Sequence, residues 1–125
     1  MAKLLVVDDE ANLRLLYAQE LSDEGYQVVT AASATEAVER LQESDFDLVV
    51  LDIKLKTESG IELLKRIVEE RQTLPVILCT AFSCYKDDFS AWLADGYVVK
   101  SSDLQELKDE IKRVLAKKQK AAAGA

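Results

Sequence analysis

The fold of this chain is decided by the stretch Leu48-Val49-Val50-Leu51-Asp52, in which four consecutive apolar residues are followed directly by one carboxylate. A short unbroken apolar run is typical of a strand buried on both faces, as in a parallel sheet covered by helices. Asp52 then lies at the carboxyl end of that strand, where open α/β sheets bind their ligands. Taken alone, an aspartate in this position is more often a cap or turn residue than a chemical group.

Strands and helices alternate on both sides of this stretch. Short apolar runs predict strands at 4–7, 26–30, 46–51, 76–79 and 97–99. Amphipathic spacing predicts a helix after each strand, with start or stop signals at Ser33 and Glu36, Ser59 and Glu62, Ser102 and Gln105, and Gly25. The fourth helix is predicted from Tyr85, Phe89 and Trp92. Five strands alternating with five helices predict an α/β fold, a doubly wound parallel sheet with right-handed crossovers.

The composition excludes several classes of protein. A length of 125 residues fits one domain, placed at 1–120, with 121–125 as a flexible tail or the start of a linker. The net charge of −7 argues against direct nucleic-acid contact, which needs a basic face. No apolar run approaches the ~20 residues of a membrane span and no signal peptide is evident, so we expect a cytoplasmic location without membrane contact.

Histidine is absent from the chain, which excludes histidine-based acid–base chemistry, catalytic triads and a phosphohistidine carried on this protein. The two cysteines, Cys79 and Cys84, lack the spacing of a zinc site. We expect both to be reduced thiols, with Cys79 buried in its apolar run.

Polar residues directly follow four of the predicted strands: Asp8 and Asp9, Asp52, Thr80, and Lys100. The carboxyl ends of parallel strands share one edge of the sheet, so these residues should converge there. Three carboxylates in one crevice repel each other unless a cation lies between them, and an oxygen-only cluster suits Mg²⁺. Asp52 is then a candidate nucleophile that forms an acyl-phosphate. Lys100 would supply a second positive charge and Thr80 a hydroxyl donor.

Each of these residues also has an ordinary structural explanation. Asp8 and Asp9 favour the N-terminus of the helix that follows them. Thr80 suits a strand, Lys100 suits a solvated surface, and Tyr97 suits half-buried packing. The conjunction of an acid pair, an acid, a hydroxyl and a lysine at four strand ends favours the chemical interpretation.

Five stretches, in this order and spacing, resemble the receiver (CheY-like) domain of two-component response regulators, over about residues 3 to 118. They are 5–10 (LVVDDE), 47–53 (DLVVLDI), 59–64 (SGIELL), 75–81 (PVILCTA) and 97–100 (YVVK). The resemblance implies a flavodoxin-like sheet of strand order 2-1-3-4-5. It also implies that Asp52 accepts a phosphoryl group from a sensor histidine kinase or phosphotransfer protein, and that the domain catalyses only its own phosphorylation and dephosphorylation.

The resemblance also implies roles for individual residues. Mg²⁺ would be held by Asp8, Asp9, Asp52 and the backbone carbonyl of Lys54. The phosphoryl oxygens would be held by Thr80 and Lys100. The switch would consist of Thr80 and Tyr97. The surface that switches would be the fourth helix, last strand and fifth helix, which would control a partner or output, or form a homodimer. Lys54 and Phe82 would flank the hydrolytic water, and neither suits orienting it, so we expect slow dephosphorylation.

Three positions depart from the usual family pattern. One is the bulky Phe82, two residues after Thr80. At the other two the family usually has proline, four residues after the phosphorylated aspartate and one after the lysine. Here these positions are Lys56 and Ser101. The Lys–Pro bond is commonly cis in the family, whereas a cis bond before Ser101 would cost about 2.5–4 kcal/mol. All five core positions are nonetheless filled, which favours a working phosphoacceptor.

Other functions on related folds fit less well. A haloacid-dehalogenase-type enzyme needs a second acid two residues after Asp52, where this chain has Lys54. A flavin mononucleotide carrier needs a phosphate-binding loop after the first strand, where Asp8 and Asp9 would repel phosphate. The remaining alternative is a phosphorylation-independent protein-interaction module on the same fold.

Overall fold

The computed structural model describes residues 2–52, 60–71, 73–80, 94–99 and 104–124. Within these ranges the strands and helices follow the predicted order. The elements are β1 (Lys3–Val7), α1 (Ala11–Asp23), β2 (Gln27–Ala31), α2 (Ala34–Glu43), β3 (Leu48–Leu51), α3 (Gly60–Glu70), β4 (Val76–Thr80), β5 (Gly96–Val99) and α4 (Gln105–Gly124).

All five strands lie in one sheet and pair in parallel, in the spatial order β2-β1-β3-β4-β5. The predicted parallel sheet and the order 2-1-3-4-5 are therefore confirmed. In the register, Leu51 lies between Val7 of β1 and Leu78 of β4. The carboxyl ends of these three strands consequently lie side by side at one edge of the sheet, which is where ligands of such folds bind.

The central strand β3 is buried on both faces, and none of its residues is more than 2% exposed. Val49 and Leu51 pack with side chains of α2 and α3, whereas Leu48 and Val50 pack with side chains of α1 and α4. Successive side chains of a strand alternate between its faces. Continuing this alternation by two residues from Val50 puts Asp52 on the side of the sheet that α1 covers.

Four helices lie within the described residues. The predicted fourth helix, built on Tyr85, Phe89 and Trp92, falls in 81–93 and lies outside them. The expected starts at Ser59 and Ser102 lie outside them as well. The fifth predicted helix is α4.

The start of α2 that Ser33 and Glu36 predict is confirmed. The Ser33 hydroxyl accepts a hydrogen bond from the backbone N–H of Glu36 at 3.1 Å. The Glu36 carboxylate in turn accepts one from the backbone N–H of Ala32 at 3.2 Å. Two donors at the helix start are thus satisfied by side chains, which fixes where the chain turns from β2 into α2.

Gly25 ends α1, as predicted, and does so with a positive φ of 95°. The backbone N–H of Tyr26 donates to the carbonyl of Leu21 at 3.3 Å, and that of Gly25 donates to Ser22 at 3.0 Å. This pair of bonds is the Schellman motif, which requires a left-handed residue at the position of Gly25. The turn aims the chain from α1 into β2.

The last helix, α4, buries Leu107, Ile111 and Val114 on the face predicted from their spacing. It continues to Gly124, so it includes residues 121–124, which the sequence predicts as a tail or the start of a linker. Alanine and lysine are strong helix formers, which accounts for the extension. No helix among the described residues is both long and apolar enough to cross a membrane.

Replacing Gly25 tests the left-handed turn. A Cβ at this position would meet no atom within 4 Å, so the cost of Gly25→Ala is conformational strain alone. We expect Gly25→Ala to lower the free energy of unfolding by about 1–2 kcal/mol in urea denaturation. Gly25→Asn is the matched control and should lose less, because asparagine tolerates this conformation. A Gly25→Ala variant as stable as the parent would contradict the left-handed conformation assigned to Gly25.

Candidate functional site

Three carboxylates meet where β1 and β3 end. Oxygen atoms of Asp8, Asp9 and Asp52 all lie within 4.8 Å of one another. Asp8 is 1% exposed and Asp52 is 6% exposed, while Asp9 is half-buried. The convergence predicted for these residues is therefore present in the structure.

The backbone holds the two buried acids in place. The N–H of Asp52 donates to the carbonyl of Val7 at 3.0 Å, and the N–H of Asp8 donates to that of Ala31 at 3.1 Å. Both acids thus extend the hydrogen-bonding ladder of the sheet by one residue beyond the regular strands. The position of each carboxylate is set by the sheet and not by a free loop.

Asp8 also starts helix α1, which was the ordinary explanation for an acid there. Its Oδ1 accepts a hydrogen bond from the backbone N–H of Glu10 at 2.9 Å. Glu10, the N-cap residue, makes no side-chain cap of its own. Arg14, one turn into the helix, donates from Nη1 to the backbone carbonyl of Asp8 at 2.7 Å. The two explanations of Asp8 are therefore compatible, because one carboxylate both begins the helix and belongs to the cluster.

The cluster suits a hard divalent cation. Two buried carboxylates and a third within 4.8 Å repel one another strongly unless positive charge neutralises them. All three offer oxygen ligands, which Mg²⁺ prefers over nitrogen or sulfur. Asp9 is only half-buried, so water can complete the coordination of an ion on the exposed side. The donor set of these residues fits Mg²⁺.

A buried tyrosine and a buried thiol lie beside the acids. The Tyr17 hydroxyl of α1 lies 3.8 Å from the Cys79 Sγ of β4, and both side chains are at most 3% exposed. Burial raises the pKa of Tyr17, and Cys79 and the carboxylates of Asp8 and Asp52 raise it further. Tyr17 was not among the predicted site residues, because a tyrosine at helical spacing among leucines is typical of a core residue. The signal that could have found Tyr17 is the position of its helix, α1, directly after Asp8 and Asp9, which were predicted at a strand end.

The other predicted site residues are described only in part. Thr80 ends β4 opposite Val99, although its side chain lies outside the described residues. Lys54, Phe82 and Lys100 lie outside them entirely, as does the Lys100–Ser101 bond, so their roles stay predictions. Tyr97 lies in β5 opposite Leu78, is half-buried, and packs on the core layer that faces α2 and α3. That environment agrees with the packing expected for Tyr97.

The chain matches the family model of the response regulator receiver domain over residues 4–112. Response regulator ArlR of Staphylococcus aureus is 32% identical over 117 residues, which are 92% of this chain and 53% of ArlR. The chain spans about half the length of the curated relatives that it matches.

Solved structures agree in fold and in sequence. Response regulator TrrA from Thermotoga maritima, in complex with Mg²⁺ and BeF, is 43% identical with a TM-score of 0.87, covering 90% of this chain and 98% of TrrA. TrrA in complex with the histidine kinase ThkA matches at 43% identity and TM-score 0.87, covering 92% of this chain and 99% of that one. A CheY-like receiver domain from Methanospirillum hungatei matches at 29% identity and TM-score 0.91, covering 97% and 98%. Taken with the parallel sheet and the acid cluster at its edge, these matches show that the chain belongs to the response regulator receiver domain family of two-component systems.

Proposed function

We propose that Asp52 accepts a phosphoryl group from a phosphohistidine of a sensor kinase or phosphotransfer protein, with Mg²⁺ held by Asp8, Asp9 and Asp52. The observation that carries the proposal is the acid cluster at the end of the central strand, with Asp52 6% exposed inside it. The relatives support it, since TrrA is known with Mg²⁺ and BeF and with a histidine kinase.

The chemistry assigned to Asp52 is an in-line displacement. A carboxylate oxygen of Asp52 forms a bond to phosphorus as the bond from phosphorus to the donor's imidazole nitrogen breaks, and that nitrogen keeps the electron pair. Such transfers depend mainly on positioning and on neutralising charge. Mg²⁺, which Asp8, Asp9 and Asp52 would hold, would supply the positive charge that neutralises the transferred group. The sheet supplies positioning, because the backbone of Asp52 is bonded to Val7.

The remaining roles follow the family pattern residue by residue. We assign Thr80 and Lys100 to the phosphoryl oxygens and the backbone carbonyl of Lys54 to the metal. Tyr97, half-buried on β5, is assigned to the switch, in which phosphorylation shifts the population between two states of that face. A homodimer through the face formed by the fourth predicted helix, β5 and α4 stays a prediction.

Helix α1 offers a surface for the phosphodonor protein. Leu15 is 70% exposed and Leu16 is 40% exposed, and they are the large apolar side chains most exposed among the described residues. Both lie in α1, whose N-cap residue Glu10 donates its backbone N–H to the Asp8 carboxylate. Exposed apolar residues on a helix that is bonded to the acid cluster suit a transient contact with the protein that carries the phosphohistidine.

The phosphoacceptor can be tested with a small donor. Incubated with acetyl phosphate and Mg²⁺, the parent should gain the mass of one phosphoryl group, and Asp52→Asn should gain none, because a carboxamide is not a comparable nucleophile. Intact-mass spectrometry measures both. Asp45→Asn, an exposed aspartate ahead of the same strand, is the control and should label like the parent. A parent that stays unlabelled would favour the phosphorylation-independent module.

The metal assignment predicts a charge effect that is local. Asp9→Asn should weaken Mg²⁺ binding by at least about tenfold, since even outer-shell substitutions at metal sites cost that much. Titration calorimetry measures the dissociation constant. Asp23→Asn removes the same charge from the far, exposed end of α1 and should leave the constant unchanged. Equal effects of the two substitutions would mean that net charge, and not coordination, governs binding.

The lifetime of the phosphorylated state tests the roles of Lys54 and Phe82. A lysine that pairs with phosphoryl oxygens and a phenylalanine that excludes water both slow hydrolysis. Lys54→Asn and Phe82→Glu should therefore each speed loss of the phosphoryl group by about tenfold. Decay is followed with Mg²⁺ present and no phosphatase, with Lys56→Asn as the control. Decay of both variants at the parent's rate, or more slowly, would refute the assignment.

A further inference from the structure

We infer that Tyr17 and Cys79 are positioning residues for phosphorylation of Asp52, because their contact fixes the end of β4, which carries Thr80, against helix α1. The inference rests on the proposed function of Asp52 and Thr80. Tyr17 and Cys79 are 62 residues apart in sequence, and they belong to elements on different sides of the site.

The sheet register puts Cys79 next to the phosphoacceptor. Val50 is paired with Ile77 and Leu51 with Leu78, so one further residue brings Asp52 opposite Cys79. Val50, Ile77 and Cys79 all belong to the core layer that faces α1 and α4. Neighbouring strands are ~4.8 Å apart. The thiol therefore lies in the row beside the Asp52 side chain, on the same face of the sheet.

Tyr17 reaches this row from a helix that is itself tied to the acid pair. The start of α1 is bonded to Asp8 through the backbone N–H of Glu10 and through the Arg14 guanidinium. Near its other end, Glu20 pairs with Lys108 of α4 at 3.2 Å. These contacts near both ends of α1 define the position of the Tyr17 hydroxyl. The 3.8 Å contact of that hydroxyl with the Cys79 Sγ then constrains where β4 lies relative to α1.

The contact affects geometry more than stability. A hydrogen bond that involves sulfur is weak, so its loss should change the free energy of unfolding little. Cys79 directly precedes Thr80, however, and the hydroxyl assigned to the phosphoryl oxygens moves with the end of β4. Misplacing a catalytic group by about 1 Å can cost up to about 100-fold in rate. Mg²⁺ binding should be spared, since the acids are held by β1, β2 and β3.

The test compares conservative variants of the two residues. Tyr17→Phe removes the hydroxyl and keeps the ring, Cys79→Ala removes the sulfur, and the double variant removes both partners. Tyr26→Phe is the matched control, because Tyr26 packs on the same core layer at the opposite ends of the strands. Each protein is measured for the rate of labelling by acetyl phosphate, for the Mg²⁺ dissociation constant and for urea unfolding.

We expect each single variant to label at least about fivefold more slowly, with the double variant no slower than the slower single. The Mg²⁺ dissociation constant and the labelling of Tyr26→Phe should equal the parent's. Cys79→Ser keeps a hydrogen-bonding group and should recover part of the rate, which a purely structural role would not predict.

Several outcomes would overturn the inference. Labelling of Tyr17→Phe at the parent's rate would do so, as would losses in the double variant that multiply as for independent sites. A parallel loss of Mg²⁺ affinity would show that the pair acts on the acids or on the fold instead of on β4. A parent that does not label overturns the proposed function itself, and this inference with it, whereas a labelled parent with unaffected variants removes only the inference.

Discussion

Burial of β3 on both faces is the constraint on which the rest of this structure depends. A strand with apolar side chains on both sides can be stable only if helices cover both faces, and here α1 and α4 cover one while α2 and α3 cover the other. Parallel pairing with β1 and β4 follows, because the covering helices are the connections between strands. The same pairing ends three strands at one edge, so the position of Asp52 is a consequence of core formation.

The site brings like charges together at the end of this apolar core. Asp8 and Asp52 are nearly inaccessible to water, yet both belong to a group of three carboxylates. Their backbones are bonded within the sheet, and Asp8 also accepts a bond from the start of α1, so the acids cannot separate without breaking these bonds. Three oxygen donors held together in this way suit a hard divalent cation.

The elements that sequence predicts well are those set by local pattern. The Gly25 turn, the Ser33 cap, the buried run of β3 and the convergence of Asp8, Asp9 and Asp52 all follow from short stretches together with the geometry of parallel sheets. The contact of Tyr17 with Cys79 does not, because it depends on how α1 lies over β4 across 62 residues of sequence. The same holds for Lys3 and Asp47, where β1 and β3 begin. The backbone N–H of Lys3 donates to the Asp47 carboxylate at 2.7 Å, and the backbone N–H of Asp47 donates to the Lys3 carbonyl at 2.8 Å. Such contacts are set by tertiary packing, which neither hydrophobic periodicity nor residue propensity predicts.

The central claim is that Asp52 and its two neighbouring acids form one phosphoryl-accepting metal site. A crystal structure of this chain grown with Mg²⁺ and beryllium fluoride tests it most directly, because the fluoride adduct mimics a phosphoryl group on a carboxylate. We expect beryllium bonded to a carboxylate oxygen of Asp52, and Mg²⁺ bound by the carboxylates of Asp8, Asp9 and Asp52. The proposal would be contradicted by Mg²⁺ bound elsewhere. It would also be contradicted by an Asp52 carboxylate without the beryllium adduct when Mg²⁺ and beryllium fluoride are both in excess.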